Sequence, residues 1–464
     1  MAKVLLLLPH LPQLMGAPYL GQQYVAASLL SRGHEVVCID LAAVRWTGTV
    51  DDVVARAEAF APDVVGYTLF TYNARAGYLL RDRLAHLNTI HVAGGSHTTV
   101  RPAEALQHGF DAAVVGEGER AMPLLVEAVA AGQWPTPVPG VQTAAGITPG
   151  GFLEELDTLP WPLLSYDCYD PTWYLERGLV VPGGLMTSRG CPAKCTFCAN
   201  HVTGRTFRWR SEDDVLGEMR TLSERYGLRH FSFWDDAFTA NRPRLRAFCA
   251  ALRADPTLQG VTWSCITPAN MASRPTLETM AAAGCVAINF GIESGDAGTL
   301  RSIAKGQQPS HVFDAVASAR ALGMSTVVNF MFGFPGETVA ALGKTLAFME
   351  ALAAHTTWFN NRGVLVPFPG TPVYELNHRQ FGFTDWWLDP RYLADEPNLW
   401  ALDPREVQSW LAHDPSLDLD FFGYAPEVKE MIARCVRFKS DHNAAQVACL
   451  QASGTALART ALAS

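Results

Sequence analysis

Residues 188–198 read Ser188-Arg189-Gly190-Cys191-Pro192-Ala193-Lys194-Cys195-Thr196-Phe197-Cys198. The three cysteines are spaced four and then three residues apart, in a loop that glycine and proline mark and that follows a short apolar run. Such a loop lets three thiolates converge on one soft inorganic centre. The sequence therefore predicts a metal or cluster site at Cys191, Cys195 and Cys198.

Two kinds of centre fit this loop. A [4Fe–4S] cluster normally takes four protein thiolates, so three would leave one iron free to bind a substrate or cofactor. Alternatively, His201 follows Cys198 at the same three-residue interval, and with the three cysteines it could complete a Cys₃His zinc site. The loop by itself leaves both possibilities open.

Length, composition and charge limit the kinds of protein that this sequence can form. A chain of 464 residues is expected to form two or three domains, and 48% hydrophobic with 17% charged residues is typical of a well-packed soluble protein. The net charge is −9 and there is no run of Lys or Arg, so no nucleic-acid partner is expected. The apolar run Val4–Leu8 is too short for a secretion signal, and nothing approaches the length of a membrane helix. We therefore expect a cytoplasmic protein without a membrane partner, in which clustered cysteines indicate metal or catalysis.

The first part of the chain alternates strand and helix signals. Near-continuous apolar runs lie at 4–8, 35–39, 63–69, 89–93 and 112–115, with amphipathic stretches between them. This pattern predicts an α/β fold in which a parallel sheet is covered on both faces, a doubly wound, flavodoxin-like (Rossmann-like) domain over residues 1–140. Ligands of such domains bind at the carboxyl ends of the strands.

A proline-rich break at 134–140 leads into a linker, residues 141–183, and a second series of strands and helices follows. Six successive strand–helix units over residues 184–378 predict a partial (β/α)6 TIM-type barrel. The three cysteines follow its first strand, at the end where such barrels carry their chemistry. Residues 379–464 form a short, aromatic-rich C-terminal extension, for which we expect ordinary packing.

Polar residues at the predicted strand ends are the next site candidates. Asp235 and Asp236 end the second barrel strand, and neighbouring residues of a strand point to opposite sides, so we expect one to face a ligand and the other to cap the next helix. Glu293 ends a nearly uncharged strand, where a buried carboxylate needs a partner. A bound cofactor would supply that partner.

The cysteine spacing and the ordered strand ends together resemble the radical SAM enzymes. The resemblance implies a [4Fe–4S] cluster on Cys191, Cys195 and Cys198, S-adenosylmethionine (SAM) at the open iron, a 5′-deoxyadenosyl radical, and a flavodoxin- or ferredoxin-type reductant protein. It also implies cofactor contacts from positions that match the family's motifs, namely Phe197, Asp235, Asp236, Ser264, Glu293, Ser294 and Phe332.

One departure from that family concerns the methionine carboxylate of SAM. Relatives often carry an arginine just after the third strand, but residues 262–270 contain no cation. Arg205, Arg208 and Arg210 are alternative candidates, as are backbone N–H groups.

The N-terminal domain resembles the B12-binding domain that precedes many radical SAM barrels, through residues 92–102 and 115–119. This implies that cobalamin can bind, with Tyr72 or Phe70 over the lower face of the corrin and Thr98 as a further site residue. The D-x-H-x-x-G signature that supplies a cobalt ligand is absent, so no axial ligand is assigned, although His10 and His97 lie in loops at the same edge. A domain kept only as a scaffold or lid is the alternative.

These resemblances imply hydrogen abstraction from a C–H bond of a small molecule, with cobalamin-dependent C-methylation, for instance in antibiotic biosynthesis, as the leading outcome. The alternative is cobalamin-independent dehydration or rearrangement of a vicinal diol such as an aminoglycoside sugar. A third hypothesis is a zinc- or corrinoid-binding regulatory protein without enzymatic activity.

Overall fold

A computed structural model describes residues 1–9, 18–41, 49–169, 184–200, 202–360, 363–389 and 420–453. His10 and His201 lie outside these residues. The chain divides into two compact units: an N-terminal unit of residues 1–183 and 384–412, and a barrel unit of residues 184–383 and 413–464. The boundaries at 140, 183 and 378 stay predictions from composition.

The N-terminal unit is built on a seven-stranded sheet in the order β2-β1-β3-β4-β5-β6-β7. The strands are β1 (Lys3–Leu8), β2 (Glu35–Asp40), β3 (Val64–Thr68), β4 (Ile90–Gly94), β5 (Ala112–Val114), β6 (Val141–Thr143) and β7 (Gly146–Ile147). The first five are parallel, and their order is that of the flavodoxin-like fold, which confirms the prediction. The antiparallel strands β6 and β7 fall in the stretch predicted as linker.

The helices of this unit follow the carboxyl ends of the strands. They are α1 (Leu20–Leu30), α2 (Val50–Phe60), α3 (Ala74–Arg83), α4 (Ser96–Val100), α5 (Pro102–Gln107) and α6 (Gly118–Ala130). β1 is buried along nearly its whole length, as expected of a central strand with helices on both faces. With both faces of the sheet covered, the carboxyl edge is where a ligand of such a fold binds.

The barrel unit contains a five-stranded parallel sheet in the order β10-β11-β12-β13-β14. Its strands are β10 (His230–Phe233), β11 (Thr262–Pro268), β12 (Cys285–Glu293), β13 (Ser325–Phe330) and β14 (Trp358–Asn360). The predicted first barrel strand forms one parallel bridge, Leu185 with Phe233, and then turns into the short antiparallel pair β8 (Ser188–Arg189) and β9 (Arg208–Trp209). The predicted partial barrel is thus present as an open α/β sheet.

Helices alternate with these strands. They are α7 (Glu212–Tyr226), α8 (Arg242–Ala254), α9 (Arg274–Ala282), α10 (Ala297–Ser302), α11 (Pro309–Ala321), α12 (Val339–Leu352), α13 (Pro372–Phe381) and α14 (Pro426–Ser453). On the helix side of the sheet, Phe233, Phe238, Phe248 and Trp263 form a buried aromatic cluster. The alternate residues of the strands are less buried, so the opposite face of the sheet is left for a ligand.

The edge strand β14 is covered by α14, the last helix described. Asn443 accepts a hydrogen bond from the Phe359 backbone N–H (3.0 Å) and donates one to the Phe359 carbonyl (2.8 Å). The His442 ring packs edge-on against the Phe359 ring at 4.8 Å. One side chain thus satisfies both backbone groups of an edge residue that would otherwise attract another strand.

Candidate functional site

The cysteine loop is tied by its backbone to two distant segments. The Thr196 N–H donates to the Ile303 carbonyl and the Val373 N–H donates to the Thr196 carbonyl, each at 3.0 Å. Asn200 adds side-chain hydrogen bonds to the carbonyls of Cys191 (3.2 Å) and Ala193 (2.8 Å). The loop is therefore anchored at both ends and in the middle.

The three thiols share one desolvated environment. Burial raises the pKa of Cys191 and Cys195, and raises that of Cys198 to about 11. The thiols also act on one another, since neighbouring cysteines contribute to the raised pKa of Cys195 and Cys198. Within the described residues, no three His, Cys, Asp or Glu side chains are arranged to hold a single metal ion.

Three adjacent soft donors that burial disfavours as free thiolates fit a group that brings its own positive charge. A [4Fe–4S] cluster with one iron left open is such a group. Lys305 adds a cation, whose charge opposes the rise in the pKa of Cys191 and Cys195. The donor set at the loop therefore fits the cluster.

Lys305 is the cation that sequence reasoning missed. Its Nζ lies 2.6 Å from Glu293 Oε1 and 5.7 Å from the centre of the Phe197 ring, and both charged side chains are less than 10% exposed. The preceding residue, Ala304, has φ 53°, a left-handed conformation just after the end of α10. Two features of the sequence could have indicated this ion pair: Glu293 needs a buried partner, and the segment that follows β12 contains a lysine.

Glu293 itself adopts a left-handed backbone conformation, with φ 73°. Its neighbour Ser294 is fully buried, and its hydroxyl lies 2.9 Å from Thr345 Oγ1 and accepts from the Asp296 N–H at 3.1 Å. The Ser294 side chain is thus occupied by the protein, and its predicted cofactor contact stays a prediction.

Asp235 is buried and bound on both oxygens. It accepts hydrogen bonds from the Thr187 N–H (2.7 Å), the Thr187 hydroxyl (2.5 Å) and the Ser188 hydroxyl (2.5 Å). Arg244 Nη1 lies 3.9 Å from Asp235 Oδ2. These contacts brace the strand that leads into the cysteine loop, so the structure gives this carboxylate a supporting role beside the predicted cofactor contact.

Asp236 holds the other side of the same loop. Its Oδ2 accepts from the Gly190 N–H at 3.2 Å and from the Thr203 hydroxyl at 3.0 Å. The expectation that one of the two aspartates caps the next helix is wrong, because Asn241 caps α8 through the Arg244 N–H.

The surroundings of Ser264 and Phe332 differ from those of the residues at the carboxyl ends of the strands. β11 continues for four residues beyond Ser264, which places this residue roughly 13 Å below the strand's carboxyl end. Its hydroxyl bonds to Ser232 (3.1 Å) and lies 3.4 Å from His230 Nε2. Phe332 is fully buried, with Lys439 Nζ 5.6 Å from its ring centre. Cofactor contacts from these two residues remain untested predictions.

Two of the three arginines proposed for the SAM carboxylate, Arg208 and Arg210, bind other groups of the protein, and Arg205 is exposed. Arg210 forms ion pairs with Asp214 (2.5 Å) and Glu218 (2.6 Å). Arg208 donates to the Thr203 carbonyl at 2.6 Å. Lys305, by contrast, is a cation whose charge acts directly on the thiols of the cysteine loop.

At the carboxyl edge of the N-terminal sheet, Thr98 is buried and its hydroxyl donates to the Gly94 carbonyl at 3.1 Å. Gly95 has φ 98°, and a Cβ there would lie 2.6 Å from the Leu69 carbonyl oxygen. Gly116, with φ 86°, has no atom within 4 Å of where a Cβ would stand. Gly95 thus packs against the Leu69 backbone, whereas Gly116 leaves its backbone open at this edge, which is compatible with a large ligand such as a corrin.

His97 does not have a ring nitrogen free for a cobalt ion. Its Nδ1 lies 3.2 Å from Thr71 Oγ1 and its Nε2 lies 3.3 Å from Glu104 Oε1, and the side chain is fully buried. Of the two histidines noted at this edge, His97 is therefore a structural residue.

Two tryptophans from beyond the barrel sequence complete this edge. The Trp387 indole N–H donates to Glu104 Oε1 at 2.8 Å, and Trp386 packs edge-on against the Tyr72 ring at 5.6 Å. Burial acts to raise the pKa of Glu104, but hydrogen bonds, including those from His97 and Trp387, outweigh it and lower the pKa. The carboxylate is thus ionised and held inside the unit.

Profiles of two known families match the two parts of the chain, the Radical SAM superfamily over residues 185–349 and the B12 binding domain over residues 17–126. An uncharacterized methyltransferase, PH0819 of Pyrococcus horikoshii, is 31% identical over 80% of this chain and 82% of its own length. The chain belongs to the radical SAM superfamily, in the group with a B12-binding domain.

Other proteins of this kind are also similar to this radical SAM protein. The bacteriochlorophyllide d C-12(1)-methyltransferase of Chlorobaculum tepidum is 29% identical over 70% of this chain and 68% of its own length. The structure of the radical SAM methyltransferase TsrM from Kitasatospora setae, with cobalamin and a [4Fe–4S] cluster bound, has a TM-score of 0.69. It covers 95% of this chain and 89% of its own, at 21% identity, and so supports the fold.

Membership settles the nature of the centre in favour of the cluster over zinc. A radical SAM protein uses a [4Fe–4S] cluster and SAM, and the B12-binding domain supports cobalamin as a further cofactor. Among the described residues, no helix combines the length and hydropathy required to cross a bilayer.

Proposed function

We propose that this enzyme is a cobalamin-dependent radical SAM methyltransferase that methylates a carbon of a small molecule after a 5′-deoxyadenosyl radical removes hydrogen from it. The joint presence of a radical SAM three-cysteine loop and a B12-binding domain in one chain carries the proposal. Relatives that are named methyltransferases support it.

In this proposal, Cys191, Cys195 and Cys198 hold the cluster. Bound together, the cluster, SAM and cobalamin supply the electron, the radical and the methyl group. A flavodoxin- or ferredoxin-type protein is the proposed electron donor. The protein's own contribution is to position these groups and to keep water away from them.

Glu293 and Lys305 are the proposed charged contacts of SAM. A buried Lys–Glu pair presents one group for the methionine carboxylate and one for its ammonium or for the ribose hydroxyls. The ion pair lies beside the ring of Phe197, which stands between the second and third cysteines in the sequence. This position next to the cluster ligands supports the proposed contacts with SAM. Lys305 would take the role of the arginine that is missing after β11.

The face of the barrel sheet opposite the helices supports an uncharged, hydrogen-bonding substrate. Asn329 donates to the side chain of Asn289 and to the Phe290 carbonyl, and Ser232 and Ser264 add hydroxyl groups on β10 and β11. Burial lowers the pKa of His230, so this histidine is neutral near pH 7.

The test is an anaerobic assay of reconstituted enzyme with SAM deuterated in its methyl group, against a panel of neutral small molecules. Release of 5′-deoxyadenosine and a deuterated methyl group in the product, both dependent on added cobalamin, support the proposal. A Cys198→Ala variant should abolish both, and Cys449→Ala, an exposed cysteine far along α14, should not.

Other results assign other functions. Turnover that proceeds without corrinoid and releases water from a vicinal diol would replace methyl transfer by dehydration. A protein that binds zinc in place of iron and releases no 5′-deoxyadenosine would contradict an enzymatic role at this loop.

A further inference from the structure

The carboxyl end of β12 contains a β-bulge. The pairing with β13 passes from Gly291 opposite Asn329 to Glu293 opposite Phe330, so Ile292 is an extra residue. A bulge re-aims the side chain that follows it, and such distortions occur next to active sites. Here the residue that follows is Glu293, with its left-handed backbone.

A left-handed conformation is unfavourable for a residue with a side chain, so surrounding contacts must hold it. The Lys305 ion pair holds the end of the Glu293 side chain, as described above. That contact does not fix the backbone. The Met331 N–H holds the Glu293 carbonyl at 2.9 Å, on the far side of the residue. The carbonyls that precede Glu293, at the bulge itself, need a contact of their own.

Gln307 makes that contact. Its Nε2 donates to the Ile292 carbonyl at 2.6 Å and to the Gly291 carbonyl at 3.3 Å, and the residue is 4% exposed. The orientation of the amide is fixed by chemistry, because a flipped amide would place its oxygen against two carbonyl oxygens.

The oxygen of the same amide is buried without a hydrogen-bond partner among the described residues. A buried acceptor without a partner is unfavourable. The side-chain nitrogen of Gln307 therefore explains why a glutamine stands here, because it holds the two carbonyls of the bulge.

We propose that Gln307 is a positioning residue for SAM binding. By fastening the bulge at Ile292, it keeps Glu293 in its strained conformation, and the Glu293–Lys305 pair then faces the cysteine loop. This inference rests on the proposed function, because Glu293 is a SAM contact only in that proposal.

The neighbouring residue provides a matched control. Gln308 is exposed, and its side chain makes no capping hydrogen bond at the start of α11. The substitutions Gln307→Met and Gln308→Met therefore make the same chemical change at a buried contact and at a free surface position.

The affinity for SAM is measured by equilibrium dialysis with cluster-loaded, oxidised enzyme, where SAM is not cleaved. Q307M is expected to bind SAM roughly tenfold more weakly, the scale of one lost buried hydrogen bond. Its iron content and its cobalamin absorbance should equal those of the wild type, and Q308M should match the wild type in every measurement. The SAM-induced change in the EPR spectrum of the reduced cluster should be diminished in Q307M alone.

A double-mutant cycle with Glu293→Gly tests whether Gln307 acts through Glu293. In that background, which removes both the carboxylate and the backbone strain, Q307M should cause little further loss of SAM affinity. Equal affinities of Q307M and wild type would overturn the inference, and so would loss of folded protein or of iron in Q307M, which would make Gln307 a residue of general stability. If the wild type itself fails to bind SAM, the proposed function fails instead.

Discussion

Replacing Asp235 with asparagine is expected to destabilise the barrel unit and loosen the strand that leads into the cysteine loop. Asn has the size of Asp, but it presents an NH₂ group where the wild type has a second acceptor oxygen. The Thr187 and Ser188 donors lose part of their acceptor, and the buried Arg244 loses the negative charge 3.9 Å away.

The size of the effect follows from these contacts. A hydrogen bond to a charged group contributes about 1.5–3 kcal/mol, and removing one partner of a buried charge pair costs about 3–5 kcal/mol. Because the amide retains one acceptor, we expect a loss of about 3 kcal/mol in the free energy of unfolding. For a unit of this size, this lowers the Tm by roughly 6–12 °C.

Asp236→Asn is the matched control, because Asp236 is exposed and its hydrogen bonds within the described residues are the two to Gly190 and Thr203. Thermal unfolding and iron content of the two variants should be measured together, with SAM affinity as the third quantity. We expect D235N to lose stability and iron, and D236N to lose less than about 1 kcal/mol. A D235N protein that is as stable as wild type and binds iron, but has lost SAM affinity, would refute this reasoning and establish Asp235 as a cofactor contact.

Three further predictions concern other parts of the barrel unit. Lys305→Met should lower the midpoint potential of the cluster, because a cation next to the thiolates favours the reduced state. Redox titration followed by EPR measures this potential, and an unchanged value would contradict this role of Lys305. Burial raises the pKa of Glu337 to about 7, so ionisation destabilises the folded state as the pH rises from about 4.5 to 7. Glu337→Gln should therefore be more stable than wild type by at most about 3 kcal/mol at pH 8 and equal to it at pH 4.5, and a difference independent of pH would count against this. Asn443→Ala should leave both backbone groups of Phe359 without their side-chain partner, with a loss of about 2 kcal/mol in unfolding free energy and faster amide exchange at Phe359; unchanged exchange would show that α14 does not protect this edge.

The order of strands and helices was accessible from sequence because buried parallel strands leave continuous apolar runs. The cysteine loop was accessible because its spacing is local. The role of Asp235 was harder, since two neighbouring aspartates look alike until the structure shows that one is buried against Arg244. Ser264 was named a cofactor contact from the resemblance alone, and the full extent of its strand to Pro268 was not visible in the apolar pattern.

Contacts across long stretches of chain could not be predicted at all. Asn443 and Phe359 are 84 residues apart, and nothing in either segment indicates the other. Such pairings depend on tertiary packing, for which a single sequence has no local signal.

Trp387 has a consequence for dissecting the gene. Because this residue is encoded after the barrel yet donates to Glu104, a fragment ending at residue 183 would leave a partly buried carboxylate short of one donor. The corrin-binding unit is therefore not encoded by one continuous stretch of the gene, and recombination cannot exchange it in one piece. Its independent production calls for a circular permutant or for complementation by a peptide that carries the two tryptophans.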